Sequence, residues 1–172
     1  YKFDTHCDTE VVLKAYDKWG NESVKKLNGI FAYAIYDKKE NSLFACRDRI
    51  GVKPFFYNKT KNTFSFASKI DTLLCQPYVK SVVDEEGLYE IFMLGPAKTI
   101  GKAIFKDICE LPPAFCLTYK NGEIKTYPYW KLEAKEFNEN EETAVEHTYL
   151  LVKDSIERQL VSDVPLATFL SG

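Results

Sequence analysis

The chain has 172 residues, with 23 Lys plus Arg against 25 Asp plus Glu, and 45% of its residues are hydrophobic. That composition excludes a disordered or collagen-like chain and is enough to bury a real core in one domain or slightly more. A formal net charge of −2 without any Lys/Arg block excludes a nucleic-acid footprint and a polybasic membrane patch.

No apolar run approaches the roughly 18 residues of a membrane span. Tyr1, Lys2, Phe3 and Asp4 lack the charged-then-apolar layout of a signal peptide, so the sequence reads as cytoplasmic, with neither nucleic acid nor membrane as partner. Cys7, Cys46, Cys75, Cys109 and Cys116 are odd in number, widely spaced and without a C-x-x-C pair. They read as reduced thiols rather than a disulfide framework or a metal site. The chain opens on Tyr1, holds a single Met at Met93 and stops at Gly172 directly after an apolar run, which reads as an internal fragment of a longer protein.

Asp8 precedes Val11, Val12, Ala15, Tyr16 and Trp19 at helical spacing, with Gly20 just past the end, and this predicts a short amphipathic helix. In residues 29–36, Phe31, Tyr33 and Ile35 point one way and Ala32, Ala34 and Tyr36 the other. A strand apolar on both faces must be covered on both sides, so it belongs to an internal sheet of a layered structure. Residues 43–46 repeat the pattern. A second hairpin is predicted from Phe55-Phe56-Tyr57 to residues 63–67, with Phe64 and Phe66 sharing a face. A third runs from residues 115–119 through Asn121-Gly122 into 124–127, Asn-Gly being the strongest short-range hairpin signal. Helical patterns lie at 70–75 and 84–94. The fold class is therefore α+β with mainly antiparallel sheets.

Residues 131–143 turn acidic and polar and read as a linker. Beyond it, Val145, Tyr149, Val152, Ile156 and Leu160 recur at steps of three and four, predicting a long helix. A turn at 162–165 leads to a short, fully apolar strand at 166–170 that runs into Ser171-Gly172. A parallel α/β domain opens a phosphate-binding turn in this way.

His6, Cys7, Asp8 and Glu10 crowd into five positions. Neighbouring residues seldom face each other, so Cys7 reads as a small buried thiol and His6 as a partly exposed imidazole rather than a nucleophile and its base. Asp8 has two readings that can coexist: a helix cap, and a carboxylate with a free oxygen for a ligand ammonium. If Thr9 caps instead, Asp8 is released entirely. Arg47-Asp48-Arg49-Ile50-Gly51-Val52-Lys53-Pro54 leaves a buried strand with alternating charges, which favours an ion-pair network fixing the strand exit over an anion site. Asp84-Glu85-Glu86 reads as the negative first turn of a helix.

Four segments, in this order, carry a resemblance: His6-Cys7-Asp8-Thr9-Glu10-Val11, Leu27-Asn28-Gly29-Ile30-Phe31-Ala32-Tyr33-Ala34, the Arg47 to Pro54 run, and Phe66-Ala67-Ser68. They are similar to the glutamine-hydrolysing asparagine synthetases, which are class II glutamine amidotransferases. Ile104-Phe105-Lys106-Asp107-Ile108, Leu111-Pro112-Pro113, Tyr129-Trp130 and Ser162-Asp163-Val164-Pro165 through Leu170-Ser171-Gly172 look like later landmarks of that family, so the resemblance runs the length of the chain.

The resemblance implies an incomplete four-layer αββα N-terminal-nucleophile fold over residues 1–130 and a linker over 131–143. Residues 144–172 would then be the first helix and strand of an α/β ATP-pyrophosphatase domain. It also implies membership of a ligase that converts aspartate, glutamine and ATP, with Mg²⁺, into asparagine, glutamate, AMP and diphosphate. In such enzymes an N-terminal Cys forms a thioester with glutamine, and the ammonia released travels internally; a homodimer is compatible with the reading.

By resemblance, Asp8 matches the Asp that holds the glutamine α-amino group. Leu170, Ser171 and Gly172 match the start of the Ser-Gly-Gly-x-Asp-Ser loop that cradles ATP phosphates, and the Arg47 to Pro54 run matches a scaffolding signature. The nucleophilic Cys, the Arg that grips the glutamine carboxylate and the Asn-Gly oxyanion pair all lie upstream of Tyr1 in the family. This chain is thus expected to hold no catalytic residue and no metal ligand, and to be inactive alone. Lys69 stands where Glu is common and Ala114 where Gly often follows Pro, which bears on a local ion pair and on the shape of one turn. The alternative readings are the glutaminase domain of another class II amidotransferase, or a non-catalytic module of the same fold.

Overall fold

The computed structural model describes residues 1–95, 99–136 and 138–169. They divide into two compact units, Tyr1–Leu132 and Glu133–Gly172. The first unit opens with helix α1 (Asp8–Trp19), closed by Gly20 in the left-handed region, followed by a 3-10 segment, Gly20–Lys26. Strands β1 (Ala32–Asp37) and β2 (Ser42–Arg47) pair antiparallel, as do β3 (Phe56–Lys59) and β4 (Phe64–Ala67). Helices α2 (Ile70–Leu74) and α3 (Glu85–Tyr89) follow, the latter running into a π-helical turn, Glu90–Leu94. β5 (Ile108–Glu110), β6 (Phe115–Lys120) and β7 (Glu123–Pro128) complete the unit.

Two antiparallel sheets result, one in the order β1-β2-β6-β7 and one in the order β4-β3-β5. Alternation along each strand decides what it covers. Phe44 and Cys46 of β2, with Cys116 of β6 and Tyr33 of β1, pack with Tyr16 of α1 and Val24 of the 3-10 segment. The intervening Leu43, Ala45 and Leu117 face a second core shared with Phe55, Tyr57, Phe64 and Leu111 around the other sheet. Phe56 and Ile108, from the opposite face of that second sheet, pack with Leu73 and Ile70 of α2. The two-faced apolar strand expected at 29–36 is thus β1, shortened to begin at Ala32, with core on both sides.

Both long hairpins take the expected form. Asn121 and Gly122 adopt φ 53° and 79°, the left-handed pair that a two-residue connection matching the sheet twist requires. Asp84 caps α3 by accepting the Gly87 N–H at 3.0 Å. Ala114 holds φ 61°, so the turn where Gly often stands keeps a left-handed shape with an alanine in it.

In the second unit, α4 (Glu141–Gln159) is capped by Asn140, whose side chain accepts the Thr143 N–H at 2.9 Å. The strand expected at 166–170 is not formed at 166–169. Those residues have no ladder partner among the described residues, and an apolar run without a neighbour to satisfy its N–H and C=O groups gains nothing by being extended. Leu170 lies outside the described residues. No helix among them is long and apolar enough to cross a membrane.

Candidate functional site

Asp8 is the first residue of α1, and it is not the helix cap. The N-cap is Cys7, in extended conformation, with no side-chain cap hydrogen bond; its carbonyl accepts the Glu10 N–H at 3.0 Å. Thr9 does not cap either. The side chain that organises this end is Glu10, which reaches back to accept the Asp4 N–H at 2.9 Å, the Thr5 N–H at 2.7 Å and the Thr5 hydroxyl at 2.5 Å. Lys14 pairs with Glu10 at 2.5 Å, donates to the Lys2 carbonyl and lies over the Phe3 ring. Tyr1 hydroxyl donates to Asp17 at 2.9 Å. Residues 1–5 are therefore tied along α1 by side chains the sequence reading assigned no role.

The consequence is a free carboxylate. Asp8 is exposed, and no hydrogen bond or ion pair to it is found among the described residues. It sits in the first turn of α1, at the positive end of the helix dipole. Lys14, its side-chain hydrogen bond to Glu10 reinforced by those of Thr5 and Asp4, pulls the Glu10 carboxyl down to about 2.

Cys7 is exposed, not the buried thiol expected, because an N-cap position stands outside the packed face of the helix. The hydrogen bond with the Thr9 side chain, helped by backbone N–H groups of Thr9 and Glu10, lowers its pKa. No hydrogen bond joins it to His6 among the described residues. All five cysteines are free thiols.

The Arg47 to Pro54 run is a lock between the two sheets. Arg47, at the end of β2, pairs with Glu110 of β5 at 2.9 Å, with side chains only 8% and 4% exposed. The same guanidinium donates to the carbonyls of Lys53, Leu111 and Gly51, each at 2.7 Å. Asp48 accepts the N–H groups of Ile50, Gly51 and Val52 on one oxygen and that of Lys53 on the other. Burial pushes the Asp48 carboxyl up, and these four backbone donors together outweigh it, leaving the pKa lowered. Arg49 donates to the Leu27 carbonyl at 2.8 Å and lies over the Tyr129 ring. Gly51 has no room for a side chain: at φ 74°, an added Cβ would stand 2.7 Å from Pro113.

The charges of Arg47, Asp48 and Arg49 thus act on backbone and on Glu110, and no ion pair joins them to one another among the described residues. Glu110 was missed by sequence reasoning. The available signal was a carboxylate directly after Ile108-Cys109 and before Leu111, in an apolar stretch where only a paired charge is tolerated.

The turn so fixed forms one wall of an open cavity of about 510 Å³, lined by Ile30, Phe31, Ala32, Lys53, Pro54 and Ser68. Phe31 is tied to the same turn, its carbonyl accepting the Asp48 N–H at 2.8 Å. Lys69 begins α2 without a side-chain cap and without an ion pair among the described residues. Leu170, Ser171 and Gly172, the residues expected at a phosphate cradle, lie outside the described residues.

Residues 1–130 match the model of the glutamine amidotransferase domain. The chain belongs to that family. This glutamine amidotransferase chain is 46% identical over its whole length to asparagine synthetase [glutamine-hydrolyzing] 3 of Bacillus subtilis, of which it covers 28%. It is 34% identical to a putative asparagine synthetase [glutamine-hydrolyzing] 2 of Methanocaldococcus jannaschii, with 98% of the chain aligned to 33% of that protein. Identity to asparagine synthetase [glutamine-hydrolyzing] 2 of Bacillus subtilis is also 34%, over 25% of its length. The chain thus spans a quarter to a third of the curated relatives it matches.

Proposed function

We propose that this chain is the later part of the glutaminase domain, with the entry to the synthetase domain, of a glutamine-dependent asparagine synthetase. The observation that carries the proposal is the unpaired Asp8 carboxylate at the head of α1, inside a stretch that belongs to the glutamine amidotransferase family. The relatives' names, each a glutamine-hydrolysing asparagine synthetase, favour aspartate over other acceptors.

In this reading Asp8 forms an ion pair with the α-ammonium of glutamine and so orients its side-chain amide. The nucleophilic Cys, the Arg for the α-carboxylate and the Asn-Gly oxyanion donors come from outside this chain, which by itself turns over no glutamine. A helix outside each of two facing sheets, with core between every pair of layers, supports the αββα arrangement. Residues 131–143 are then the linker, and 144–172 open the ATP-pyrophosphatase domain. ATP with Mg²⁺ would supply activation of the aspartate carboxylate there, with Leu170, Ser171 and Gly172 beginning the phosphate cradle. Ammonia from glutamine displaces AMP. A cytoplasmic homodimer is compatible with this chemistry.

The test is calorimetric titration of glutamine into this chain and into a protein extended to its relatives' full length, each with and without Asp8→Ala. Binding by the extended protein only, weakened at least tenfold by Asp8→Ala, is expected. Unchanged affinity in Asp8→Ala, or no binding by the extended protein, would overturn the assignment.

A further inference from the structure

Cys46 of β2 and Cys116 of β6 stand directly opposite each other in the central pair of the larger sheet. Both belong to the core that lies under α1 and the 3-10 segment, so both side chains leave the same face, and both are fully buried. The Asp48 N–H donates to the Phe31 carbonyl at 2.8 Å and the Tyr129 N–H to the Ala114 carbonyl at 2.9 Å. Two residues on, the backbone groups of Cys46 therefore turn to β1 and those of Cys116 to β7, so Cys46 and Cys116 face each other as a non-hydrogen-bonded pair. Such pairs hold their Cα atoms about 4.5 Å apart, at the short end of the roughly 4.4–6.8 Å that a disulfide spans. Their Cβ atoms stand at the near end of the roughly 4.5–5.5 Å range of facing residues, somewhat beyond the roughly 3.8 Å a disulfide prefers, so bridging tilts the two Cβ atoms toward each other. Tyr33 lies opposite Cys46 on its other side, and Tyr127 opposite Cys116, completing a row across the sheet.

Ser23 and Val24 of the 3-10 segment are buried in the cover over this row, but the part that α1 contributes is thin. Only Ala15 of α1 is buried, while Val11 and Leu13 are exposed and Tyr16 contributes a ring stacked on Phe44 at 5.4 Å. A helix held by so few buried groups opens at a small fraction of the free energy of global unfolding. Burial raises the pKa of both thiols while the cover is closed, which keeps them protonated and unreactive.

We propose that Cys46 and Cys116 are a latent dithiol that a small-molecule disulfide oxidises to a cross-strand bridge whenever α1 and the 3-10 segment open. The two S–H bonds break and one S–S bond forms. Two electrons pass to the small disulfide, which leaves as two thiols carrying both protons. A Cα separation at the short end of the disulfide range strains the bridge and makes it a readily reduced one, of the kind suited to regulation rather than to static support. Its position gives it leverage: Cys46 immediately precedes Arg47, whose guanidinium holds the turn that walls the cavity of Lys53 and Pro54.

The experiment incubates the reduced 172-residue chain with oxidised glutathione over a series of sub-denaturing urea concentrations. Remaining thiols are alkylated under unfolding conditions, and peptides are mapped by mass spectrometry without reduction. The expected product is a peptide pair joining Cys46 to Cys116, two hydrogens lighter than its reduced parts. Its rate of formation should rise with urea, and rise about tenfold in Tyr16→Ala, which thins the cover. The proposal is overturned if Cys46 and Cys116 are recovered alkylated while Cys7, Cys75 or Cys109 has reacted. It is equally overturned if oxidation stops at glutathione mixed disulfides on Cys46 or Cys116. The mapping is done on the unaltered chain, so neither outcome depends on a buried substitution folding.

Discussion

At the scale of single residues, two carboxylates and one guanidinium govern what surrounds the candidate site. Glu10 accepts from Asp4, Thr5 and Lys14 and titrates near 2, below the ordinary 4.5. A depressed pKa favours the tied state above the ordinary value and loses that preference as pH falls toward the lowered one. Residues 1–5 should therefore release from α1 between about pH 4.5 and 2, read as collapse of the Thr5 and Asp4 amide protection in hydrogen exchange or NMR. Retained protection at pH 2 would show that Glu10 does not hold them. Arg47→Ala leaves Glu110 buried without this cation and frees the carbonyls of Gly51, Lys53 and Leu111, a loss of about 3–5 kcal/mol in urea unfolding. Gly51→Ala combines a left-handed φ with a 2.7 Å approach to Pro113 and should cost about 1–3 kcal/mol.

At the scale of elements, the Asn121-Gly122 turn admits a simple check: Gly122→Val places a β-branched residue at φ 79° and should lower stability by about 1–2 kcal/mol without changing the m-value. That hairpin, the Phe64 hairpin and α1 were legible because each is fixed by local chemistry: a turn dipeptide, a two-residue alternation, a helical stripe ended by Gly20. Only Asp8's position at the head of α1, not its freedom, could be read, because an unused cap is decided by Glu10 folding back from the next turn. β5 was not legible, since three residues with a buried carboxylate make sense only beside β3 and Arg47. Residues 166–169 err in the other direction. Their apolar run carries strand propensity, but no described strand lies beside them to complete a ladder.

At the scale of the whole molecule, the distribution of apolar surface is the main energetic feature. Val145, Tyr149, Leu151, Val152 and Ile156 of α4 each leave more than half their surface exposed, and β1 and β7 are open edges of the larger sheet. Such surfaces favour association, so the 172-residue chain should sediment with a concentration-dependent mass. A cleanly monomeric sample in analytical ultracentrifugation would contradict this. The central claim, that Asp8 receives the glutamine ammonium, is tested most directly by kinetics on Asp8→Asn in the protein extended to its relatives' full length. Asparagine formation is measured once with glutamine and once with ammonia supplied directly. The account predicts a KM for glutamine raised at least tenfold, with ammonia-dependent synthesis unchanged. An unchanged KM for glutamine, or equal loss with both nitrogen sources, would contradict it.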